Sequence, residues 1–304
     1  MLNDKTKGRL LVMAGALMWS SSGVFTSAPV FDVWSEEVRG PLLAFWRAAF
    51  AALVLAPTVR RPKFHPLLIP LTLCFAVMNL TYLTAMVRTS PANACWLQNA
   101  APFWVLLITV FLFREPVRSR NLIPLLFGLT GVCVILVFEM RQTGTSYDPL
   151  GLFCGVLGGI TYAGVLSLMN RVSQLEAAWV VALNHTVAAI ALLPWAIATG
   201  IHPTLPQLLI LAAFGAFQIG IPYCLVVRGL RSISAQEAVG IGLIEPVVMP
   251  IWVYLAWGVG TNWWTILGAV FIVGGLALRY FVLGDVEENQ DAALPPSPSG
   301  RGPG

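Results

Sequence analysis

The stretch Ser90–Phe113, SPANACWLQNAAPFWVLLITVFLF, decides the fold. It is long and apolar enough to cross a bilayer as a helix, which takes about 20 residues. Near its middle lie the polar pair Gln98 and Asn99, followed by Pro102. Polar side chains and proline inside an apolar span are typical of helices that face a cavity or another helix. The stretch therefore predicts a membrane-spanning helix whose middle faces a cavity or another helix.

The same pattern returns 144 residues later, in Ser234–Leu255, which reads SAQEAVGIGLIEPVVMPIWVYL. Shifted by this distance, Ala94 aligns with Ala238 and Pro102 with Pro246. The register continues through further identities, Ser90 with Ser234, Phe127 with Phe271 and Gly131 with Gly275. Transporters are often built from such internal repeats, with interrupted helices meeting near the bilayer midplane. An internal duplication is therefore expected.

The composition is that of a polytopic membrane protein. Of 304 residues, 57% are apolar and 11% charged, and the mean hydropathy is +0.78. Soluble domains carry about 25% charged residues. Outside the apolar spans there is no basic stripe with interleaved aromatic residues, so no nucleic-acid partner is expected. The lipid bilayer and a small-molecule substrate are the predicted partners, and a monomer is compatible with the pattern.

Catalytic and metal-binding motifs are absent from the sequence. The five cysteines lie in apolar runs and form no CxxC pair, which favours a packing role. There is no HExxH, no nucleophile elbow and no P-loop. We therefore expect no metal, no cofactor and no enzymatic activity.

Ten segments are long and apolar enough to span a membrane: 10–28, 39–57, 66–87, 91–113, 120–138, 150–170, 178–198, 205–227, 235–256 and 263–283. If the N-terminus is cytoplasmic, fourteen lysines and arginines lie inside and three outside. This asymmetry follows the positive-inside rule and places both termini in the cytoplasm.

The ten spans divide into two halves of five. The first half is 1–138, an outer linker covers 139–149, and the second half is 150–283. Because five is odd, the second half must run inverted relative to the first. The expected fold is thus an all-α membrane protein with a 5+5 inverted-topology repeat, and the family resemblance given below implies that the repeat surrounds a central cavity. Residues 284–304 are acidic and then rich in Pro, Ser and Gly, so we expect a disordered cytoplasmic tail.

Three ionisable residues lie deep inside predicted spans, where charge is costly and marks function or pairing. Glu245 is a candidate for binding an ammonium group or a proton, or else for capping the backbone or pairing with Arg47. Arg47 is a candidate for holding a carboxylate, or for bracing carbonyls of broken helices. His185 is a candidate proton site, or else a hydrogen-bonded packing residue. The three form a candidate proton or charge relay.

Polar and aromatic residues at mid-depth supply the other candidates for substrate binding. Neutral amides can bind a zwitterion, or can join helices by hydrogen bonds. Aromatic rings suit an apolar side chain or a cation, or serve as packing. Together with Glu245, the candidate substrate-binding residues are Trp19, Asn79, Tyr82, Trp96, Gln98, Asn99, Tyr162 and Gln218.

Four prolines lie within predicted spans and are candidate hinges: Pro102, Pro222, Pro246 and Pro250. A proline removes one backbone hydrogen bond and frees a carbonyl, which then needs another partner. Kinks at these positions would shape a cavity.

The two repeated segments resemble the EamA domains of the drug/metabolite transporter superfamily. The resemblance rests on the small-residue helix start, Pro102, Glu115 and Gly131 in the first half, and on the Glu245-Pro246 pair in the second. Val259 stands where the family often has a second glutamate. The whole chain looks most like the YddG-type exporters of aromatic and other amino acids. The resemblance implies ten helices in a basket and transport by alternating access.

We therefore expect a secondary transporter that exports amino acids of broad type across the inner membrane of a bacterium. One alternative is an exporter of cationic drugs or metabolites. Less favoured alternatives are a membrane-embedded enzyme and a scaffold that transports nothing.

Overall fold

The computed structural model describes residues 3–113, 122–141, 148–233 and 235–279, with the side chains of 109–113, 235, 236 and 239 left aside. Within these ranges every regular element is helical. The expected disordered tail 284–304 and most of the expected linker 139–149 lie outside the described residues.

Fourteen α-helices follow one another in the described ranges: α1 (Asp4–Trp19), α2 (Ser22–Thr26), α3 (Glu36–Leu55), α4 (Leu68–Arg88), α5 (Pro91–Asn99), α6 (Ala101–Phe113), α7 (Leu122–Met140), α8 (Pro149–Arg171), α9 (Ala177–Ala198), α10 (Leu205–Gly215), α11 (Ile221–Gly229), α12 (Ala235–Gly242), α13 (Ile244–Trp257) and α14 (Trp263–Ala277). Short 3₁₀ turns follow α2 and α3, and a π-helical stretch, Ala216–Gly220, joins α10 to α11.

Seven helical segments in the described part of the chain are long and apolar enough to cross a membrane: Glu36–Thr58, Leu68–Arg88, Leu122–Met140, Pro149–Arg171, Ala177–Ala198, Leu205–Gly229 and Gly240–Trp257. The predicted spans 10–28, 91–113 and 263–283 contain shorter helices instead. An all-helical membrane architecture is confirmed, and the count of ten spans stays a prediction.

Three segments predicted as continuous helices are each divided in two, and the first, 10–28, divides after Trp19 into α1 and α2. The segment 91–113 divides at Ala100 into α5 and α6, and 235–256 divides at Leu243 into α12 and α13. The ψ angles are −2° at Ala100 and −11° at Leu243, opened from about −42° in a regular α-helix. Pro102 and Pro246 follow these two breaks within one turn, and the missing proline N–H removes the bond that would continue the upstream helix. The helix therefore restarts at these points.

The long helices pack in pairs along much of their length. α4 lies along α8, α7 along α14, α3 along α9, and α1 along α11. The α7–α14 contact is close because glycines face each other: a Cβ at Gly131 would lie 2.5 Å from the carbonyl oxygen of Gly268. Small residues of this kind let membrane helices approach to backbone contact.

One polar contact ties the end of α4 to the start of α8. Asp148 caps α8 by accepting from the Gly151 N–H at 2.9 Å, and it accepts from Arg88 Nη1 at 2.5 Å. Burial alone would raise the pKa of Asp148, but these hydrogen bonds and the guanidinium charge lower it below its ordinary value. Asp148 thus stays ionised and holds these two helix ends together.

Hydrophobic packing is concentrated at the end of the bundle that contains Asp148. There α2 packs against α4, α5, α10 and α13, and side chains such as Phe31, Leu83, Phe214 and Met249 are fully enclosed. Elsewhere many large apolar side chains face outward, including Leu53 on α3. An outward apolar surface of this kind suits lipid.

We predict that Gly131→Ala destabilises the protein by about 1–3 kcal/mol, the usual cost of overpacking. The new Cβ would overlap the Gly268 carbonyl oxygen and also lie 2.7 Å from Ile272 Cγ1. Thermal unfolding of the purified protein in detergent measures the effect. Gly274→Ala on α14 is the matched control, because its Cβ would meet Phe127 at an ordinary 3.5 Å. Equal melting temperatures for the two variants would contradict the assignment of the contact.

Candidate functional site

A cavity of about 210 Å³ lies where the broken helices meet. Seven of the nine predicted substrate-binding residues line it, together with Arg47 and His185 from the proposed relay. The seven are Trp19, Tyr82, Gln98, Asn99, Tyr162, Gln218 and Glu245. The structure thus brings together residues that are far apart in the sequence.

The interruptions in the helices place several of these side chains at the cavity. Trp19 is the last residue of α1, and Gln98 and Asn99 end α5. Gln218 lies in the π-helical stretch, and its Nε2 donates to the carbonyl oxygen of Trp19 at 3.1 Å. Asn99 Nδ2 donates to the Cys95 carbonyl oxygen at 3.0 Å. The first bond satisfies a carbonyl freed at the end of α1, and the second fixes Asn99 against its own helix.

Arg47 is anchored without a carboxylate. Its Nη2 donates to Asn79 Oδ1 at 2.5 Å. The guanidinium carbon also lies 5.8 Å from the centre of the Tyr82 ring and 5.4 Å from that of Phe214, within the range of cation–π attraction. Arg47 is buried yet lines the cavity. It therefore presents a positive charge to the cavity from a fixed position.

Glu245 is the second residue of α13, in the first turn after the break. The ion pairs and hydrogen bonds found among the described residues include none to its carboxylate. Neither structural alternative for this residue, a backbone cap or an ion pair with Arg47, is therefore realised. The negative end of the cavity is open for a ligand.

Several polar atoms on the cavity wall are enclosed by protein and have no hydrogen-bond partner within the described residues. They are Tyr82 Oη, His185 Nδ1, Gln218 Oε1 and Tyr223 Oη. His185 otherwise packs edge-on against Phe75, with ring centres 4.8 Å apart. Most buried polar groups in proteins are paired, because an unpaired group costs about 1–3 kcal/mol. Leaving these enclosed groups unpaired beside the cavity therefore costs stability.

Two predicted substrate-binding residues lie away from the cavity. Asn79 is fully buried behind Arg47. Trp96 is buried in a separate cluster with Phe103 and Ile272. One edge of Trp96 meets an apolar groove of about 700 Å³ between α13 and α14, on the outside of the bundle. The sequence shows that both residues lie within spans, but not whether their side chains point toward the cavity, because packing determines that direction.

The candidate hinge prolines occupy two kinds of position. Pro102 and Pro246 lie in the first turn of α6 and α13, where a backbone N–H would have no intrahelical acceptor. Pro222 directly follows the π-helical stretch, inside the continuous helical segment Leu205–Gly229. Pro250 lies inside α13. Arg279 Nη1 donates to the Pro102 carbonyl oxygen at 2.6 Å, which supports the break between α5 and α6. Pro102 and Pro246 therefore mark where helices restart, and Pro222 and Pro250 lie within helices.

Five lining residues were not predicted as site residues: Phe75, Met78, Val181, Ile219 and Tyr223. Phe75 and Met78 precede Tyr82 at helical spacing on α4 and share its face. This spacing could have identified them as neighbours of Tyr82 on the cavity wall. Nothing else in the sequence distinguishes an apolar residue that contacts a ligand from the other apolar residues of a span.

The chain resembles known transporters over most of its length. The sequence model of the EamA-like transporter family matches residues 6–137 and, separately, 149–281. An uncharacterised inner membrane transporter of Salmonella typhimurium, YicL, is 24% identical over 91% of this chain and 96% of its own. An S-adenosylmethionine uptake transporter of Rickettsia prowazekii is 24% identical over 90% of this chain and 93% of its own.

A solved crystal structure shares the fold, with a TM-score of 0.63. It is 18% identical and covers 92% of this chain, which in turn covers 98% of it. The family and both relatives are described as transporters, which confirms the expectation of a transporter and not an enzyme.

We predict that a cysteine at Gln98 reacts with a water-soluble thiol reagent in a variant lacking the five native cysteines. Gln98 lines the cavity, so water and reagent reach it. Leu97→Cys is the matched control, since Leu97 is 1% exposed and faces the packed side of α5. Mass spectrometry of the labelled protein measures both rates. A Leu97 cysteine that reacts as fast as the Gln98 cysteine would show that the cavity is misplaced.

Proposed function

Since this chain belongs to the EamA-like transporter family and is therefore a membrane transporter, we propose that its central cavity carries amino acids out of a bacterium. The proposed location is the inner membrane, where the Salmonella relative is named as a transporter. The proposed mechanism is alternating access by a secondary carrier. Aromatic and other amino acids, in a broad range, are the proposed substrates.

One observation carries the substrate proposal: Arg47 and Glu245 line the same cavity without pairing. Opposite charges that share a low-dielectric space attract each other, so keeping them apart requires structure. A ligand with one positive and one negative group would satisfy both. An amino acid is such a ligand, with its carboxylate toward Arg47 and its ammonium group toward Glu245.

The remaining wall suits a side chain of moderate size. Phe75, Met78, Tyr162, Val181 and Ile219 supply rings and aliphatic groups. The volume of about 210 Å³ lies below the roughly 300–1,000 Å³ of pockets for drug-sized ligands. The cavity therefore favours a small metabolite with an apolar part over a bulky drug.

Three observations support the proposed 5+5 inverted repeat. The family model matches twice, once in each half. The helix breaks at Ala100 and Leu243 fall at nearly equivalent positions, since the 144-residue shift takes Ala100 to Ile244. The pairing of α4 with α8 and of α11 with α1 also has the reciprocity that a two-fold pseudo-axis would produce.

The cavity lies toward the end of the bundle proposed to be cytoplasmic. Val181 and His185 are in the first half of α9, and Tyr223 is in the last two turns of α11. The opposite end is closed by α2: a Cβ at Gly23 would lie 2.6 Å from Val253 Cγ2 and 3.0 Å from Pro91 Cβ. We infer that the structure represents the state closed to the outside.

We predict that proteoliposomes with this protein take up labelled amino acids in a saturable way, and that Glu245→Gln weakens the apparent affinity about tenfold or more. This is the size expected for losing a hydrogen bond to a charged group, about 1.5–3 kcal/mol. Uptake assays over a range of concentrations measure it. Glu237→Gln is the matched control, because Glu237 on α12 pairs with Arg9 outside the cavity. Equal affinities in both variants would remove Glu245 from the site.

We predict that Gly23→Val shifts the protein toward the state open to the outside. The new side chain would overlap Val253 and Met249, and overpacking costs about 1–3 kcal/mol. A cysteine at Met86, enclosed at this end, should react about tenfold faster with an impermeant reagent added outside. Gly164→Val is the control, since its Cβ would meet Cys74 at an ordinary 3.4 Å. An unchanged rate would contradict closure by α2.

A cationic substrate is the second candidate, and the unpaired carboxylate of Glu245 favours it. The Rickettsia relative is named for S-adenosylmethionine, although for uptake. This alternative predicts that cations without a carboxylate are moved while amino acids are not. The same uptake assay, run with both classes of substrate, separates the two functions.

A further inference from the structure

The charge of the cavity arginine is not compensated, because its anchor is neutral. Arg47 Nη2 donates to Asn79 Oδ1, and the other close groups are the rings of Tyr82 and Phe214. None of the ion pairs formed by the described residues includes Arg47. An arginine used to join helices would pair with a carboxylate, since an uncompensated buried charge is costly. Arg47 is therefore held in place but not neutralised.

Asn79 can hold Arg47 in one orientation only. It is fully buried on α4, and its Nδ2 donates to the carbonyl oxygen of Ala44 on α3 at 3.0 Å. Because the amide nitrogen is used in this way, the amide oxygen must face the guanidinium. Ala44 and Arg47 are one turn apart on α3. The Asn79 side chain of α4 therefore bonds to both and fixes the arginine relative to the backbone of α3.

The guanidinium keeps one nitrogen for a ligand. Nη2 is bonded to Asn79, and Nε is enclosed without a partner. Nη1 has no partner among the described residues and is not enclosed, and Arg47 lines the cavity. A carboxylate in the cavity would therefore meet Nη1.

We propose that Asn79 is a positioning residue that determines the class of substrate. By holding Arg47 through a neutral amide, it leaves the guanidinium charge uncompensated and directed at the cavity, so that the site requires a carboxylate on its ligand. This inference rests on the proposed transport of amino acids. It also gives Asn79 a role different from the direct substrate contact that the sequence predicted.

An aspartate at this position would change the substrate class. It would form an ion pair with Arg47 and compensate its charge, while the Glu245 carboxyl group would be unchanged. Ligands with a carboxylate would then lose their partner, and ligands with an amine alone would keep theirs. The expected effect is therefore a change in the ratio of two dissociation constants. A loss of folded protein would reduce the binding of both ligands and leave this ratio unchanged.

The test measures binding of phenylalanine and of phenethylamine, the amine that lacks its carboxylate, to the full-length protein purified in detergent. We expect the native protein to bind phenylalanine at least about tenfold more tightly. In Asn79→Asp the ratio of the two dissociation constants should fall to about one or invert. In Asn79→Ala, which releases the arginine without adding charge, phenylalanine should weaken and phenethylamine should not. The alanine variant also serves if the aspartate variant does not fold.

Asn93→Asp is the matched control. Asn93 is as buried as Asn79, but it accepts from Thr265 Oγ1 and lies outside the cavity. Its variant should keep the native ratio. A native ratio in both Asn79 variants would overturn the role of Asn79 and leave amino acid transport standing. Native protein that binds phenethylamine but not phenylalanine would overturn both proposals.

Discussion

The architecture depends on one constraint, the absence of water in the hydrocarbon core of a membrane. A backbone carbonyl or amide released there must find a partner in the protein or face a cavity. This chain interrupts its helices after Trp19, at Ala100, in the π-helical stretch and at Leu243, all beside the central cavity. The partners are supplied locally, as when Gln218 donates to the Trp19 carbonyl. The positions of the helix breaks and the position of the cavity therefore depend on each other.

The same constraint governs the charges. Two opposite charges buried in contact would compensate each other and form a structural ion pair. Arg47 and Glu245 instead face one cavity without an ion pair, and neutral groups hold the arginine. Retaining separated charges costs stability, since their desolvation is uncompensated in the empty site. That cost is understandable if a ligand compensates it during transport.

Much of the site follows from the sequence because membranes make polar residues conspicuous. Gln98, Asn99 and Glu245 stand out in apolar spans, and two of the prolines mark where helices restart. The direction of a side chain is less accessible. Asn79 and Tyr82 lie on one helix three residues apart, yet one anchors Arg47 and the other lines the cavity. Val181 and Ile219 could not be identified, since an apolar residue that faces a ligand resembles one that faces lipid.

Hydropathy could not predict that the long segments are divided into two helices. The mean hydropathy of 91–113 is that of a single span, although the backbone leaves the regular α-helical geometry at Ala100. The inverted orientation of the two halves stays a prediction, because it rests on an odd number of spans. The twofold family match and the aligned breaks support it.

The groove between α13 and α14 has a mechanical consequence. It leaves Val247, Ile251 and Tyr254 of α13 facing outward, with a gap of about 700 Å³ beside them. If α13 tilts in the proposed transport cycle, it would displace acyl chains on this side and break few protein contacts. Moving the helix that carries Glu245 would then require work against the lateral pressure of the bilayer. The chain length and saturation of the lipids would in that case affect the rate of transport.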